Sequence, residues 1–399
     1  GWLMGLLCCA LIAAVLPYID LVIRSTKYSM NLLPPSSLFL MFAFILLFNM
    51  GLARWRAWLS LTRQDLALVF AMTMLINPLP TYGFMTYTTV EQMGAFYYAS
   101  GDNRWAELLH PHIPEALTPR DPLDPSEPGP RPVQWFFSGL PPGEAIPWGL
   151  LWAPYARWCL ALVLILGIFL ALGALLHRQW SERERLPFPL AQVPEQMLGG
   201  LPGARDDGQT AFLRDRLAWW GIATTFLLHL YNGAYDYYPA VVEPIPLRIA
   251  HIDGKFLTEA PYSHLHPFYF IIYPSVIGIM FLISLEVSFS LWFFYAVVFK
   301  LAVVFAVTQY ALGQNGWYFS GTEGTQSIFT AQGVGACFML VLAGFFMART
   351  SLRASLLQAL GKAHEEDAGQ VSARTIWTLL AVCLAGSVAW LVWAGVSWY

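Results

Sequence analysis

The chain is 399 residues long, 57% hydrophobic and 12% charged, with a formal net charge of −3 and a positive mean hydropathy. So apolar a composition is that of a membrane protein. The near-neutral balance, without a basic stripe or a Gly-rich phosphate loop, excludes nucleic-acid and nucleotide binding.

Eight runs contain no Asp, Glu, Lys or Arg: Gly1 to Ile19, Met30 to Ala53, Leu66 to Val90, Cys159 to Leu176, Leu217 to Tyr235, Pro267 to Leu285, Ser327 to Met347 and Thr375 to Tyr399. A ninth, Val287 to Tyr310, is equally apolar except for Lys300. A helix needs about 20 apolar residues to cross a bilayer, so the expected fold is all-α, a polytopic transmembrane helical bundle of about nine spans forming one domain over residues 1–399. Basic residues set the orientation. Arg54, Arg56 and Arg63 follow the second run; Arg178, Arg183, Arg185, Arg205, Arg214 and Arg216 follow the fourth; Arg349, Arg353, Lys362 and Arg374 follow the eighth. These loops, including a linker over 178–213, are expected to be cytoplasmic, and the amino end with them. The expected location is the inner (plasma) membrane.

The opening run reads as a true span, because no small-residue cleavage site follows it and it leads into Pro17-Tyr18-Ile19-Asp20. A chain that starts without Met inside one apolar run and stops just after another is expected to be part of a longer protein, partnered by a C-terminal half or by other membrane subunits. The cysteines Cys8, Cys9, Cys159, Cys337 and Cys383 all lie in apolar runs without metal-ligand spacing, so they read as small core residues and no cofactor is expected.

The third run is interrupted by Asn77-Pro78-Leu79-Pro80 and resumes through Tyr82-Gly83-Phe84 to Glu91. Irregular backbone at membrane depth is tolerated only where protein or a water-filled cavity surrounds it, so a broken helix or re-entrant hairpin is expected near 77–98. Residues 99–149 form an acidic, extracytoplasmic insert whose proline-rich core, Pro111 to Pro132, is expected to be irregular or polyproline-like, tied down by Trp105 and Trp135-Phe136-Phe137.

In the fifth run His229 is the histidine well inside a span, and Tyr231, Asn232, Tyr235 and Asp236 carry a polar edge outward, as a substrate vestibule would. The second extracytoplasmic loop, 236–266, holds Asp236, Glu243, His251, Asp253, His264 and His266. These can be read as a metal site or, more simply, as an aromatic, hydrogen-bonded cap; no metal is assigned.

Glu286 opens the seventh span, where it caps the helix or titrates near the inner face. Lys300 lies 14 residues on, about 21 Å along a helix, too far for a direct pair. An ammonium in mid-span is costly unless it meets an anion, carbonyls or water. Lys300 therefore reads as a counter-ion for an acidic solute or as a gate partner, against the alternative that it snorkels to an interface. Gln309, the Gly-rich segment 313–326 with Asn315 and Glu323, then Gln326 and Gln332, have the composition of a second broken, cavity-lining stretch.

The segment Trp180-Ser181-Glu182-Arg183-Glu184-Arg185-Leu186-Pro187-Phe188-Pro189-Leu190-Ala191-Gln192 resembles the cytoplasmic element of the oligopeptide transporter superfamily, in which an acidic stretch leads into Phe-Pro. The order of other parts is also similar: Pro17-Tyr18, Glu286-Val287-Ser288-Phe289-Ser290-Leu291-Trp292, and Gln332-Gly333-Val334-Gly335-Ala336. The likeness is nearest to remote bacterial members, covers most of this chain and about half of a full-length member, and departs from the pattern at Leu190 and Gln192. It implies a secondary active transporter built from internal repeats, proton-coupled, moving a small solute such as a peptide or metal chelate. Glu286, Glu91 and Glu323 would be the coupling carboxylates, and Lys300 would suit a substrate carboxylate. Two other classes compete: a scaffold subunit of a larger membrane complex, and a membrane-embedded transferase using a lipid-linked donor, with Asp20 among its acid groups.

Overall fold

A computed structural model describes residues 1–23, 33–51, 61–119, 130–186, 188–198, 215–249, 258–259, 262, 270–302, 304, 328–362 and 371–396. It is helical apart from one antiparallel pairing of two-residue strands, β1 (Arg248–Ile249) with β2 (Phe270–Ile271). The chain divides into two compact units, Gly1–Leu186 with Ala348–Tyr399, and Pro187–Met347.

In the first unit, α1 (Trp2–Pro17) continues without interruption into a wide π-turn, Tyr18–Ile23. It is apolar all round. Only one stripe is buried, Gly5, Cys8, Ile12 and Leu16, while Leu3, Leu7, Leu11 and Val15 remain exposed. A helix with a narrow packed stripe and an otherwise apolar, uncovered surface is built for lipid. Its partner is α3 (Arg63–Ile76), which offers Leu66, Val69 and Thr73 at helical spacing. Gly5 abuts Met72 and Asp20 meets Thr81, so α1 and α3 run parallel. Between them in sequence, α2 (Pro35–Phe44), extended by a π-turn over Ile45–Gly51, runs the other way: Ser37 meets Asn77, and Asn49 brackets Leu61 through its amide. The alternation expected of the first three spans is thus present in the packing.

After a break at residues 77–84, α4 (Met85–Tyr97) leads into the insert. Short turns of helix there include α5 (Trp105–Leu108). The insert corrects one expectation. Pro130–Ser138 is helix α6, because Pro130 and Pro132 fall in its first turn, where no N–H is needed. Phe137 packs on Tyr97 and Tyr98, with the Tyr97 and Phe137 rings stacked at 4.2 Å, and Phe136 lies edge-on against Phe137. Below them Met93, Val133 and Leu151 form a small core with Phe96 and Tyr155.

α7 (Trp148–Arg178) is the longest helix of this unit and packs antiparallel on α13 (Ala373–Trp393), Trp158 lying against Trp390 and Ala171 and Leu175 against Leu380. The close approach comes from glycine. A Cβ on Gly167 would lie 2.5 Å from Cys383 Sγ, and one on Gly386 2.8 Å from Leu164. Lipid tails are as apolar as leucine, so helices here associate through such close van der Waals contact rather than through exclusion of water.

In the second unit the described helices are α8 (Pro189–Met197), α9 (Arg216–Tyr237), α10 (Pro274–Met280), α11 (Leu285–Phe293) and the first part of α12 (Ile328–Ala359). The linker expected over 178–213 is therefore partly helical. Among the described residues five helices are long and apolar enough to cross a membrane: Trp2–Ile23, Trp148–Arg183, Leu285–Ala302, Gln332–Ala359 and Ala373–Trp393. With the shorter apolar helix Pro35–Asn49 they make this a helical membrane bundle. Parts of the other expected spans fall outside the described residues. The sixth run yields only seven helical residues, since Pro274 starts α10 and a turn ends it before Ser284 caps α11. α9 is 22 residues long but less apolar, carrying Thr224, Thr225, His229, Asn232 and Asp236.

The α7–α13 contact makes a clear test. Gly167→Leu should lower the detergent-solubilised unfolding midpoint by the equivalent of about 1–3 kcal/mol, the usual effect of overpacking. Gly173→Leu, on the open face of the same helix with nothing within 4 Å, should leave it near wild type.

Candidate functional site

Among the described residues, twelve polar or charged side chains are buried, and eight of them lie between Asp20 and Gln92: Asp20, Ser37, Thr73, Asn77, Thr81, Thr88, Thr89 and Gln92. In an apolar bundle this concentration defines the candidate site.

Local sequence explains how it forms. Pro17 lacks an N–H and disturbs the helical ladder, and the chain continues as the π-turn Tyr18–Ile23. π-Turns widen a helix locally and recur at functional positions. Asp20 sits in this one, 2% exposed, and accepts a hydrogen bond from Thr81 Oγ1 at 2.9 Å. The Tyr82 hydroxyl donates to the Asp20 carbonyl at 3.5 Å.

Thr81 and Tyr82 belong to the break in the third segment. Pro78 and Pro80 cannot donate to a helical ladder, so α3 ends at Ile76. The backbone is then re-satisfied by longer loops of hydrogen bonding, Met85 N–H to the Leu79 carbonyl and Thr86 N–H to the Thr81 carbonyl, both at 3.0 Å. Asn77 locks the turn from inside. It is 0% exposed, its Nδ2 donates to Ser37 Oγ and to the Thr73 carbonyl, each at 2.8 Å, and its Oδ1 accepts from Ser36 Oγ. Gly83 allows the chain to double back: a Cβ there would collide with the Pro78 carbonyl and side chain. Three spanning segments are thereby stitched together by side chains.

Along α4 the polar face continues through Thr88 and Gln92, one turn apart. Thr89 Oγ1 donates to the Met85 carbonyl at 2.7 Å, so the Tyr155 hydroxyl, 2.6 Å away on α7, is left to donate to it. Gln92 is 2% exposed, yet neither its Nε2 nor its Oε1 has a partner among the described residues. A buried amide without partners is a place for water or a polar solute.

The residues expected from sequence are distributed differently. Glu91 is exposed on α4, beside the buried Gln92. Glu286 is exposed in the first turn of α11, where a carboxylate favours the helix dipole. His229 and Asp236 are exposed on α9. Asn232 is a clamp, exchanging two 2.9 Å hydrogen bonds with the Ile245 backbone and holding the loop after α9. Lys300, 8% exposed, places its Nζ 5.4 Å from the Tyr295 ring centre and 5.6 Å from that of Phe299, both in the π-turn Phe294–Phe299 just before it. Its cation is thus cushioned by aromatic faces of its own helix. Gln309, Asn315, Glu323 and the segment 313–326 lie outside the described residues, as do His251, Asp253, His264 and His266. Among the described residues no group of three or more His, Cys, Asp or Glu could hold a metal ion.

Sequence reasoning found the break but not the site around it. A signal was present: Thr73, Asn77 and Thr81 recur every four residues, a polar stripe on an otherwise apolar segment. Asp20, standing alone in the chain, gained a partner only in three dimensions.

Two substitutions probe this construction. Asn77→Leu should cost about 1–3 kcal/mol by stranding its buried partners, and Gly83→Ala a similar amount by forcing the turn open. Gly101→Ala, with open space around it, is the control, and unfolding midpoints in detergent are the measurement.

Comparison with known proteins returns no matching curated protein and no matching solved structure. The sequence model of one family matches residues 2–399, nearly the whole chain. This helical membrane protein, with its broken third segment pinned to Asp20, belongs to the family of unknown function DUF6785.

Proposed function

We propose that the protein is a secondary active transporter of the inner (plasma) membrane, with a cytoplasmic amino end, that takes up a small polar solute such as a peptide or metal chelate in a proton-coupled manner. The observation that carries this reading is the bond between Asp20 and Thr81, a buried carboxylate in a π-turn held by the hydroxyl of a discontinuous neighbouring segment. The resemblance of residues 180–197 and their companions to the oligopeptide transporter superfamily supports the solute class.

The chemistry is simple. Asp20 accepts the Thr81 hydroxyl, and a coupled proton delivered to a carboxyl adds an O–H donor beside its acceptors, so the polar contacts between α1 and the break are those it would alter. Broken helices are the common site of such movement because their ends carry free backbone groups and little ladder to disrupt. The Tyr82 hydroxyl is the nearest other titratable group on the break. Thr88 and the unpartnered amide of Gln92 extend a polar face from this point towards the insert, offering hydrogen bonds to a passing solute. Lys300 is the residue we assign to a solute carboxylate. The transferase reading has less support: Asp20 accepts from the Thr81 hydroxyl, and among the described residues no group of three or more His, Cys, Asp or Glu could hold the metal such a transfer would use.

Uptake of peptides and metal chelates into proteoliposomes, with and without an inward proton gradient, tests this. Asp20→Asn should abolish the stimulation by the gradient, and Thr81→Val should weaken it while leaving the protein folded. Undiminished gradient-driven uptake in Asp20→Asn would remove the coupling assignment. Lys300→Met should selectively slow solutes with a free carboxylate. Absence of uptake for every solute tried would favour the scaffold role.

A further inference from the structure

At the insert end of the α7–α13 pair the two helices leave a groove of about 410 Å³, lined by Leu160, Leu164, Gly386, Ala389 and Trp390 with Arg157 among them. The volume is within the roughly 300–1,000 Å³ of small-ligand sites. Its walls are apolar except at Arg157.

Arg157 lies two residues before the uncharged run that starts at Cys159, so it marks the edge of the hydrocarbon. Its surroundings agree. Trp158 Nε1 donates to the Leu117 carbonyl at 3.2 Å and Trp390 Nε1 to the Arg157 carbonyl at 3.1 Å, so two indoles sit with their polar edges held at this level. Tryptophan rings anchored in this manner are characteristic of a membrane–water boundary. Arg157 itself is half-buried. One guanidinium nitrogen donates to the Ala116 carbonyl, and among the described residues no carboxylate pairs with the cation. A guanidinium has five N–H donors in a fork suited to phosphate. A cation that no described carboxylate neutralises, at the mouth of an apolar groove, is complementary to one kind of molecule.

We infer that this groove binds an anionic glycerophospholipid, its phosphate on Arg157 and one acyl chain along Leu160, Leu164 and Gly386. Glycine at 386 is required for the groove's depth, since a side chain there would meet Leu164. Basic pockets between spanning helices hold anionic headgroups at cytoplasmic faces, and the match of a guanidinium fork to phosphate is the same at either face. The lipid would staple α7 to α13 and, through the Ala116 and Leu117 contacts, steady the insert. The inference is independent of transport.

The test is lipid binding by the full chain purified in mild detergent, read by native mass spectrometry after adding equal amounts of phosphatidylglycerol and phosphatidylcholine. Wild type should retain phosphatidylglycerol in preference, by about fivefold, the effect of one interfacial cation. Arg157→Gln should bring the ratio close to one, whereas Arg157→Lys should keep most of it. Ala389→Phe, on the lipid-exposed wall, should fill the groove and reduce bound lipid of both kinds without loss of the unfolding midpoint. An unchanged headgroup preference in Arg157→Gln, or undiminished lipid in Ala389→Phe, would overturn the assignment.

Discussion

A backbone group inside a membrane has no water to turn to, and the third segment of this protein breaks its helix there. Everything around the break follows from that constraint. Two prolines remove donors from the ladder, and the carbonyls and amides they orphan must find partners within protein. Asn77 takes up the Thr73 carbonyl and ties itself to the hydroxyls of Ser36 and Ser37 of α2, and Thr81 reaches across to Asp20 of α1. The same bonds that make the break tolerable fix how the first three segments sit against one another. An apolar substitute at any of these positions would leave a cluster half satisfied, which is worse than having none.

The rest of the first unit is held by a different device. α7 and α13 approach at Gly167 and Gly386, where the absence of a side chain admits Cys383 and Leu164. Contact of this kind needs no polar group and leaves the outer faces of both helices free for lipid, as their exposed leucines and valines show. Towards the insert the pair opens into the groove beside Arg157. The two modes divide the work: polar stitching where the backbone is irregular, glycine-mediated contact where it is regular.

Polar groups also separate into satisfied and expectant. Asn77 has its full set of partners and reads as structure; Asn232 spends both amide atoms on the Ile245 backbone and does the same for a loop. Among the described residues Gln92 has none, and Asp20 meets Thr81 across the break. Lys300 belongs to another class again, a buried cation that lies over two aromatic rings of its own helix.

Much of the architecture was legible in the chain itself. Uncharged runs of about 20 residues can satisfy their backbones only as helices in a bilayer, so α1, α7, α12 and α13 follow from composition, and the proline pair at 78 and 80 announces the break in the third run without reference to any neighbour. Length says less at Pro267 to Leu285, where among the described residues Pro274 starts a seven-residue helix and a turn follows it before Ser284. What the sequence could not decide was company. A carboxylate at position 20 and a threonine at position 81 are 61 residues apart, and nothing in local periodicity says that parallel packing of α1 on α3 will bring them to 2.9 Å. Arg157 likewise reads as an ordinary flanking charge until the antiparallel fit of α7 on α13 sets it at the mouth of a groove. Spans are a property of one stretch of chain and its solvent; a site needs convergence of several, and convergence is settled only by how side chains of unlike segments fit.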